Sequence, residues 1–580
     1  MSTLGNRLRA LEIGFVVLAI FGWLALTAWV RHFTAPDEGR YVGVALEMMR
    51  TGDWLVPRLD GMPFFHKPPL FYWLSASAMT VFGSSEWAAR LPSMMGATAA
   101  ATSLWLFLQR WEGAAVAVVA VLALVTMPFL YIGAQFANLD MLVAGCITVT
   151  LLLAAHAALA REGGAPWRGW LALAFATAAL GVLAKGLIGV LLPALVFAGW
   201  AIMARHPRRL RLLLWWPGWL LLLAIALPWF IAMQMRYSEF FDYFVITQHF
   251  RRFAGGAFNN AQPMWFYLPV LALLTLPWIG WLLVAPRRQW QVRLSDIDWL
   301  MLVWLVVIVV FFSLPRSKLV GYVLPAVPPL AYFVARTLLM RSIGPASKKR
   351  LRWTAGVAAT SCVLAVAAAE HFATPPGARL PLPIGAEISR DDQILMLDAY
   401  LYEVPFYWHL RRPVMVLSDW DAPGIAKRDN WRKEMSDAAH FDPDQGRSVL
   451  IRPAAVKSSL CVAHATWLIG THSAEQSWLW LADPRFVLMA HNKELAAWRF
   501  PGATHDHPDC LGADTLPHPE LQLRRDEPSG NVAGASSLDL NRVPCTDCRV
   551  DGNAPDRESL GDVAHEAHDK EAGPKSRTHL

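Results

Sequence analysis

Apolar residues recur through the first two-thirds of the chain in runs of roughly 20, the length that carries a helix across a bilayer. The runs fall near 11–30, 91–109, 114–134, 140–160, 169–184, 186–204, 212–232, 264–285, 298–314, 319–336 and 353–369. The stretch 70–83 is apolar but short. It reads as a re-entrant or interfacial helix, or as half of a further span. The pattern predicts a mainly α, polytopic membrane protein with about 11–13 spans. From about residue 385 the texture changes. DDQILMLDAY, RPVMVLSDW, SVLIRP, TWLIGT and RFVLMA read as short strands mixed with helical stretches, a small α/β domain outside the membrane. From about 504 the chain is polar, rich in Gly, Pro, Asp and His, and without period, which predicts a disordered tail. The expected division is therefore 1–384 transmembrane, 385–503 α/β and 504–580 tail, with no convincing internal repeat.

Composition agrees. The 580 residues are 55% hydrophobic and only 17% charged, and a soluble chain of this size carries nearer 25%. The formal charge of +7 follows from membrane orientation rather than nucleic-acid binding. Arg7 and Arg9, then Arg205, Arg208, Arg209 and Arg211, then Arg287, Arg288 and Arg293, then Lys348, Lys349, Arg350 and Arg352 all fall on one side if eleven spans alternate. That side is the cytoplasm by the positive-inside rule. The first span lacks a small-residue cleavage site and runs on into further spans, so it reads as an anchor rather than a signal peptide. Six cysteines are too few for a disulfide scaffold. Cys545-x-x-Cys548 is a single pair, short of the four ligands of a zinc site. No Walker-type glycine motif supports ATP-driven transport.

The densest chemistry lies in the loop after the first span, RHFTAPDEGRYVGVALEMMRTGDWLVPRLDGMPFFHKPPL, residues 31–70. In a helix starting at Asp37, that carboxylate shares a face with Arg40 and Tyr41. The competing reading is structural, since Thr34-Ala-Pro-Asp37 also fits a capping box. Glu38 is a second, weaker acid. Pro68 and Pro69 hold Lys67 outside any regular helix, where an ammonium suits a phosphate oxygen; His66 precedes it. Asp140, in AQFANLDMLVAG, stands where a span meets the same face, although Asn138 or Asp140 could simply cap that helix. Further cations on this side are Arg236, Arg251 and Arg252 in one loop, Arg316 and Lys318 with Tyr322 in another, and Lys185. Lys185 reads most simply as a charge that sets helix depth. Together these cations fit a cavity that binds phosphate. Two carboxylates converging from different loops suit group transfer or a divalent metal, but the chemistry requires no metal or other cofactor.

The stretch APDEGRYVGVALEMMRTGDWLVPRLDGMPFFHKPPLFYWLSA resembles the first outer loop of the bacterial aminoarabinose transferases that modify lipid A, part of the wider group with protein O-mannosyltransferases. The resemblance continues through SEWAARLPS, FANLDMLVAG, LAKG, PWFI and SLPRSKLVGYVLPAVPPLAYF, and covers roughly residues 10–340. DAYLYEVPFYWHLRRPVMVLSD resembles the start of the family's small outer domain. The resemblance implies a GT-C glycosyltransferase in the bacterial inner membrane, with its active site facing the periplasm. The donor would be a sugar on undecaprenyl phosphate and the acceptor lipid A. By motif, Asp37 and Asp140 match the family's acidic active-site residues. Tyr41, Lys67 and Tyr322 match its donor cavity, with Lys67 near the carrier phosphate. One departure stands out: the family has Glu before Lys-Pro-Pro, and this chain has His66. The change bears on recognition of an amino sugar, and on lipid A with it, but not on polyprenyl phosphate. A protein Ser/Thr or another envelope glycan is the alternative acceptor. A lipid or ion transporter is the rival of another class; its mark would be ionisable groups at mid-membrane in related halves, whereas these charges gather at one face.

Overall fold

The computed structural model describes residues 2–251, 260–283, 294–341, 345–381, 388–389, 391–462 and 464–501. The helices that carry the argument are α1 (Ser2–Ala25), α2 (Asp37–Thr51), α3 (Leu70–Phe82), α4 (Glu86–Trp111), α5 (Ala114–Val125), α6 (Pro128–Ala134), α7 (Leu139–Glu162), α8 (Arg168–Lys185), α9 (Ile188–Met203) and α10 (Trp216–Arg236). Apolar helices Asp296–Ser313 and Val327–Arg341 and the long helix Pro345–Ala373 follow. Seven described helices are long and apolar enough to cross a membrane, and the bent pair α5–α6 makes eight. The remaining expected spans correspond to α1, to the shorter apolar helices α3 and α9, and to 267–283, which breaks into two short helices. For α3, α9 and 267–283 length separates the two counts, because a hydrophobic run in sequence does not report where the helix breaks.

Small residues let the spans close together. Gly145 of α7 lies against Gly96 of α4, so near that a Cβ on Gly145 would stand 2.7 Å from the Gly96 Cα. This is the close backbone approach that glycine permits between membrane helices.

The C-terminal strands β3 (Gln393–Leu397), β4 (Met415–Leu417), β5 (Leu450–Ile451), β6 (Thr466–Thr471), β7 (Val487–His491) and β8 (Leu495–Phe500) form one mixed sheet in the order β5-β4-β3-β6-β8-β7. Strands β5, β4, β3 and β6 run parallel, with Leu395 beside both Met415 and Leu468. Their unbroken apolar texture is that of strands covered on both faces. The antiparallel β8 was not anticipated. LAAWRF is rich in alanine, which has low strand preference, and its pairing with β6 supplies what its own sequence lacks.

The first loop is clasped by this C-terminal unit. A hairpin, β1 (Arg58–Leu59) and β2 (Met62–Pro63), turns through Asp60 and Gly61, both at positive φ (55° and 79°), as the two-residue hairpin turn requires. Asp60 Oδ1 accepts the Val414 amide at 2.7 Å, and Arg58 Nη1 lies 3.3 Å from Asp442 Oδ2. Phe33 donates its amide to the Tyr407 hydroxyl at 2.8 Å. Gly39 packs on the backbone of Tyr402, where a Cβ would approach to 2.9 Å. Gly61→Ala combines an unfavourable φ with a clash against Gln445 and Pro413. It should destabilise the clasp by about 1–3 kcal/mol, seen as faster proteolysis between the loop and the sheet.

Candidate active site

Helix α2 begins at Asp37 after Pro36, with no side-chain cap. The capping reading of Asp37 is therefore corrected. It is Glu38 whose Oε2 takes the Thr34 amide, at 2.9 Å. The Asp37 carboxylate, 39% exposed, instead accepts from Arg40 Nη1 at 3.0 Å. Gly52 ends the helix in the left-handed conformation, its amide bonded to the Met48 carbonyl. Tyr41 follows Arg40 on the same face. Burial pushes its hydroxyl pKa up; Asp37 adds to the rise, Arg40 opposes it, and Asp140 and Tyr322 contribute in the same sense as Asp37. Tyr41 thus stands within electrostatic reach of both acids.

Asn138 caps α7 by accepting the Asp140 amide at 2.9 Å, so Asp140 is free of that duty. Its Oδ1 is paired with the Lys185 ammonium, which also sits 4.2 Å from the centre of the Tyr322 ring. Lys185 ends α8, and its depth-setting reading is corrected: it serves as the counter-ion of Asp140. Gly321 makes the arrangement fit, because any Cβ there would overlap Asp140 Oδ2.

Glu38 has a different place. It is fully buried between two guanidinium groups, Arg31 Nη1 at 2.5 Å and Arg90 Nε at 2.9 Å. The Ala137 amide donates to its Oε1 at 2.8 Å. Arg90 also donates to the carbonyls of Ala28, Arg31 and His32, and Arg31 to that of Gln135. Burial alone would raise the Glu38 carboxyl, but Arg31 and Arg90 overcome it and hold the pKa at about 2. This cluster ties the segment after α1, the start of α2, α4 and the α6–α7 turn into one frame. Every Glu38 oxygen is occupied away from solvent, so the expectation that Glu38 acts on substrate is corrected.

The remaining predicted residues divide. His66 stacks on Phe64 (centroids 4.3 Å apart) and faces Tyr243 at 6.0 Å. Lys67 is half-buried beside it, after Phe65, which packs on Tyr237, Phe240 and Phe441. Arg316 is exposed. Lys318 is buried and donates to the carbonyls of Gln262 and Pro315; desolvation lowers its pKa. Lys318 ties its own loop to the segment at Gln262, a correction to its expected phosphate role. Arg251 closes the π-helix Asp242–Arg251, and only its backbone is described. Arg252, Arg287, Arg288, Arg293, the tail and Cys545/Cys548 lie outside the described residues.

One acid went unread in the sequence. Glu434, on the helix Trp431–Phe441, faces the loop: its Oε2 is 3.0 Å from Arg40 Nε and accepts from the Tyr402 hydroxyl at 2.6 Å. Burial raises its carboxyl pKa, against the pull of Arg40 and Tyr402. Arg40 also stacks on Tyr402, 5.0 Å from the ring centre. The available signal was a Glu on the apolar stripe of Met435 and Ala438, in a helix capped by Asn430.

A bundle of membrane helices and a small mixed sheet, with paired acids and bases on and beside the first loop, give the chain the fold of the GT-C class of integral-membrane proteins. Residues 66–231 match the family model described as dolichyl-phosphate-mannose-protein mannosyltransferase. The undecaprenyl phosphate-alpha-4-amino-4-deoxy-L-arabinose arabinosyl transferase of Erwinia tasmaniensis is 31% identical over 379 residues, 64% of this chain and 67% of that protein. Its counterpart in Pseudomonas aeruginosa (strain LESB58) is 32% identical over 330 residues, covering 56% of this chain. The chain belongs to this arabinosyl transferase family, although it spans only 59% of the length of the Pseudomonas protein. The fold matches the crystal structure of ArnT from Cupriavidus metallidurans bound to undecaprenyl phosphate, with TM-score 0.70 and 23% identity over 84% of this chain and 97% of that one. It is a multi-pass membrane protein.

Proposed function

We propose that this protein transfers a sugar from undecaprenyl phosphate to lipid A at the periplasmic face of the inner membrane. The observation that carries the reading is the convergence of two acid–base pairs, Asp37–Arg40 and Asp140–Lys185, on Tyr41 and Tyr322. The names of its relatives supply the donor and the sugar class. In this reading an acceptor oxygen attacks the anomeric carbon, the bond from that carbon to the carrier phosphate breaks, and polyprenyl phosphate leaves with the electron pair. A hydroxyl acceptor gives its proton to Asp37 or Asp140; a phosphate acceptor is already a nucleophile. Lys67 stabilises the charge on the leaving phosphate. Glu38 holds the frame and does not act on substrate. The N-terminus is cytoplasmic, and the sheet unit lies in the periplasm beside the loop it clasps.

Lys185→Met leaves Asp140 without its counter-ion. The expected result is a loss of transfer of about tenfold or more, together with a lowered Tm, because the buried Asp140 carboxylate is left without its counter-ion. The reading as a whole is tested by mass spectrometry of lipid A from cells lacking the protein and from the same cells complemented with it. An aminoarabinose-sized addition that returns on complementation supports it. Identical lipid A in both strains removes lipid A as acceptor and favours a glycoprotein or another envelope glycan.

A further inference from the structure

A second group of polar side chains gathers beside these acids from three separate elements. Tyr72 of α3 is fully buried, and its hydroxyl has no hydrogen-bond partner among the described residues. Burying a hydroxyl unpaired is costly, so such a group marks a site that something else fills. The Tyr72 ring lies 6.4 Å from that of Tyr41, and its hydroxyl is within electrostatic reach of Arg40 and Glu434. Glu434 uses Oε2 for Tyr402 and Arg40, while Oε1 makes no hydrogen bond among the described residues. The charge count leaves a surplus. Arg40 answers only one of Asp37 and Glu434, and Lys185 is spent on Asp140.

We propose that Tyr72 and Glu434, gathered around Arg40, form a subsite that reads a hydrogen-bond-donating substituent of the donor sugar, a protonated amine above all. This rests on the glycosyl-transfer reading. The position before Lys67 offers no carboxylate, because His66 occupies it and stacks on Phe64. The helix Trp431–Phe441 supplies one instead. It also borders His66: Asp437, one turn beyond Glu434, accepts from Tyr243 at 3.2 Å, and the Tyr243 ring faces His66. A cationic substituent would supply the missing positive charge, and Tyr72 would accept a hydrogen bond from it. The C-terminal unit then takes part in choosing the sugar.

The test uses the full-length protein with lipid A as acceptor and two donors, undecaprenyl phosphate carrying 4-amino-4-deoxy-arabinose or arabinose. Wild type, Glu434→Gln and Tyr72→Phe are compared. The expected result is a wild-type preference for the amino donor. The ratio of kcat/KM for the two donors should fall about tenfold or more in Glu434→Gln and several-fold in Tyr72→Phe, mainly through KM. An active wild type whose ratio is unmoved in both variants overturns the subsite alone and leaves a buried water as the partner of Tyr72. A wild type inert with either donor removes transfer from these donors to lipid A, and the subsite proposal with it. Should Glu434→Gln fail to fold, Tyr72→Phe, which keeps the buried ring, decides by itself.

Discussion

Asp37→Asn should reduce sugar transfer by about 10²–10⁴-fold if Asp37 is the general base, with the protein still folded. The two halves of this expectation rest on different observations. The carboxylate is more than one-third exposed and makes one ion pair, with Arg40. Such a pair contributes about 0.2–1 kcal/mol, so the Tm should hardly move. Its chemical position is another matter: both it and Asp140 bear electrostatically on Tyr41, beside which the proposed transfer would take place. The check is lipid A mass spectrometry in the complemented strain, beside thermal unfolding of the purified variant. A loss below about tenfold would mean that the acceptor arrives as a ready phosphate nucleophile and that Asp37 only orients Arg40. Wild-type transfer would remove Asp37 from the mechanism.

Glu38→Ala should act in the opposite way, through stability. Removing this carboxylate leaves Arg31 and Arg90 buried side by side without a counter-charge, a change that costs about 3–5 kcal/mol. The variant should unfold at markedly lower temperature in detergent and accumulate poorly in cells. The same cluster sets an acid limit. The folded Glu38 pKa is about 2 against an ordinary 4.5, a depressed value worth about 3 kcal/mol. That contribution is complete above about pH 5 and is lost as pH falls toward 2. Wild type should therefore lose thermal stability over that window, and a Glu38→Gln variant should lose less of it. Equal acid sensitivity in the two would assign the limit to other carboxylates.

The difference between Asp37 and Glu38 also shows how far the sequence could be read. They are neighbours of the same chemical type, and in the string DEGRY nothing separates their environments. Helical spacing did place Asp37 with Arg40 and Tyr41 on one face, because that periodicity is a property of the local backbone. It did not show that Glu38 enters a cage formed by Arg31, which follows α1, and Arg90 of α4. The same limit explains the cations. Lys318 and Lys185 look equally available in sequence. One is spent on the carbonyls of Gln262 and Pro315, and the other is the partner of Asp140.

Local and compositional properties were thus fixed by the chain alone: the membrane class, most spans, the presence of a small C-terminal sheet region, and the loop that carries the acids. These follow from hydropathy, period and turn chemistry, each of which acts over a few residues. The tertiary structure alone decided which charges pair, which are buried, and that Glu434, almost 400 residues after Asp37, shares Arg40 with it. Burial and pairing of charges depend on distances between remote segments, and those distances exist only once the bundle and the sheet have packed.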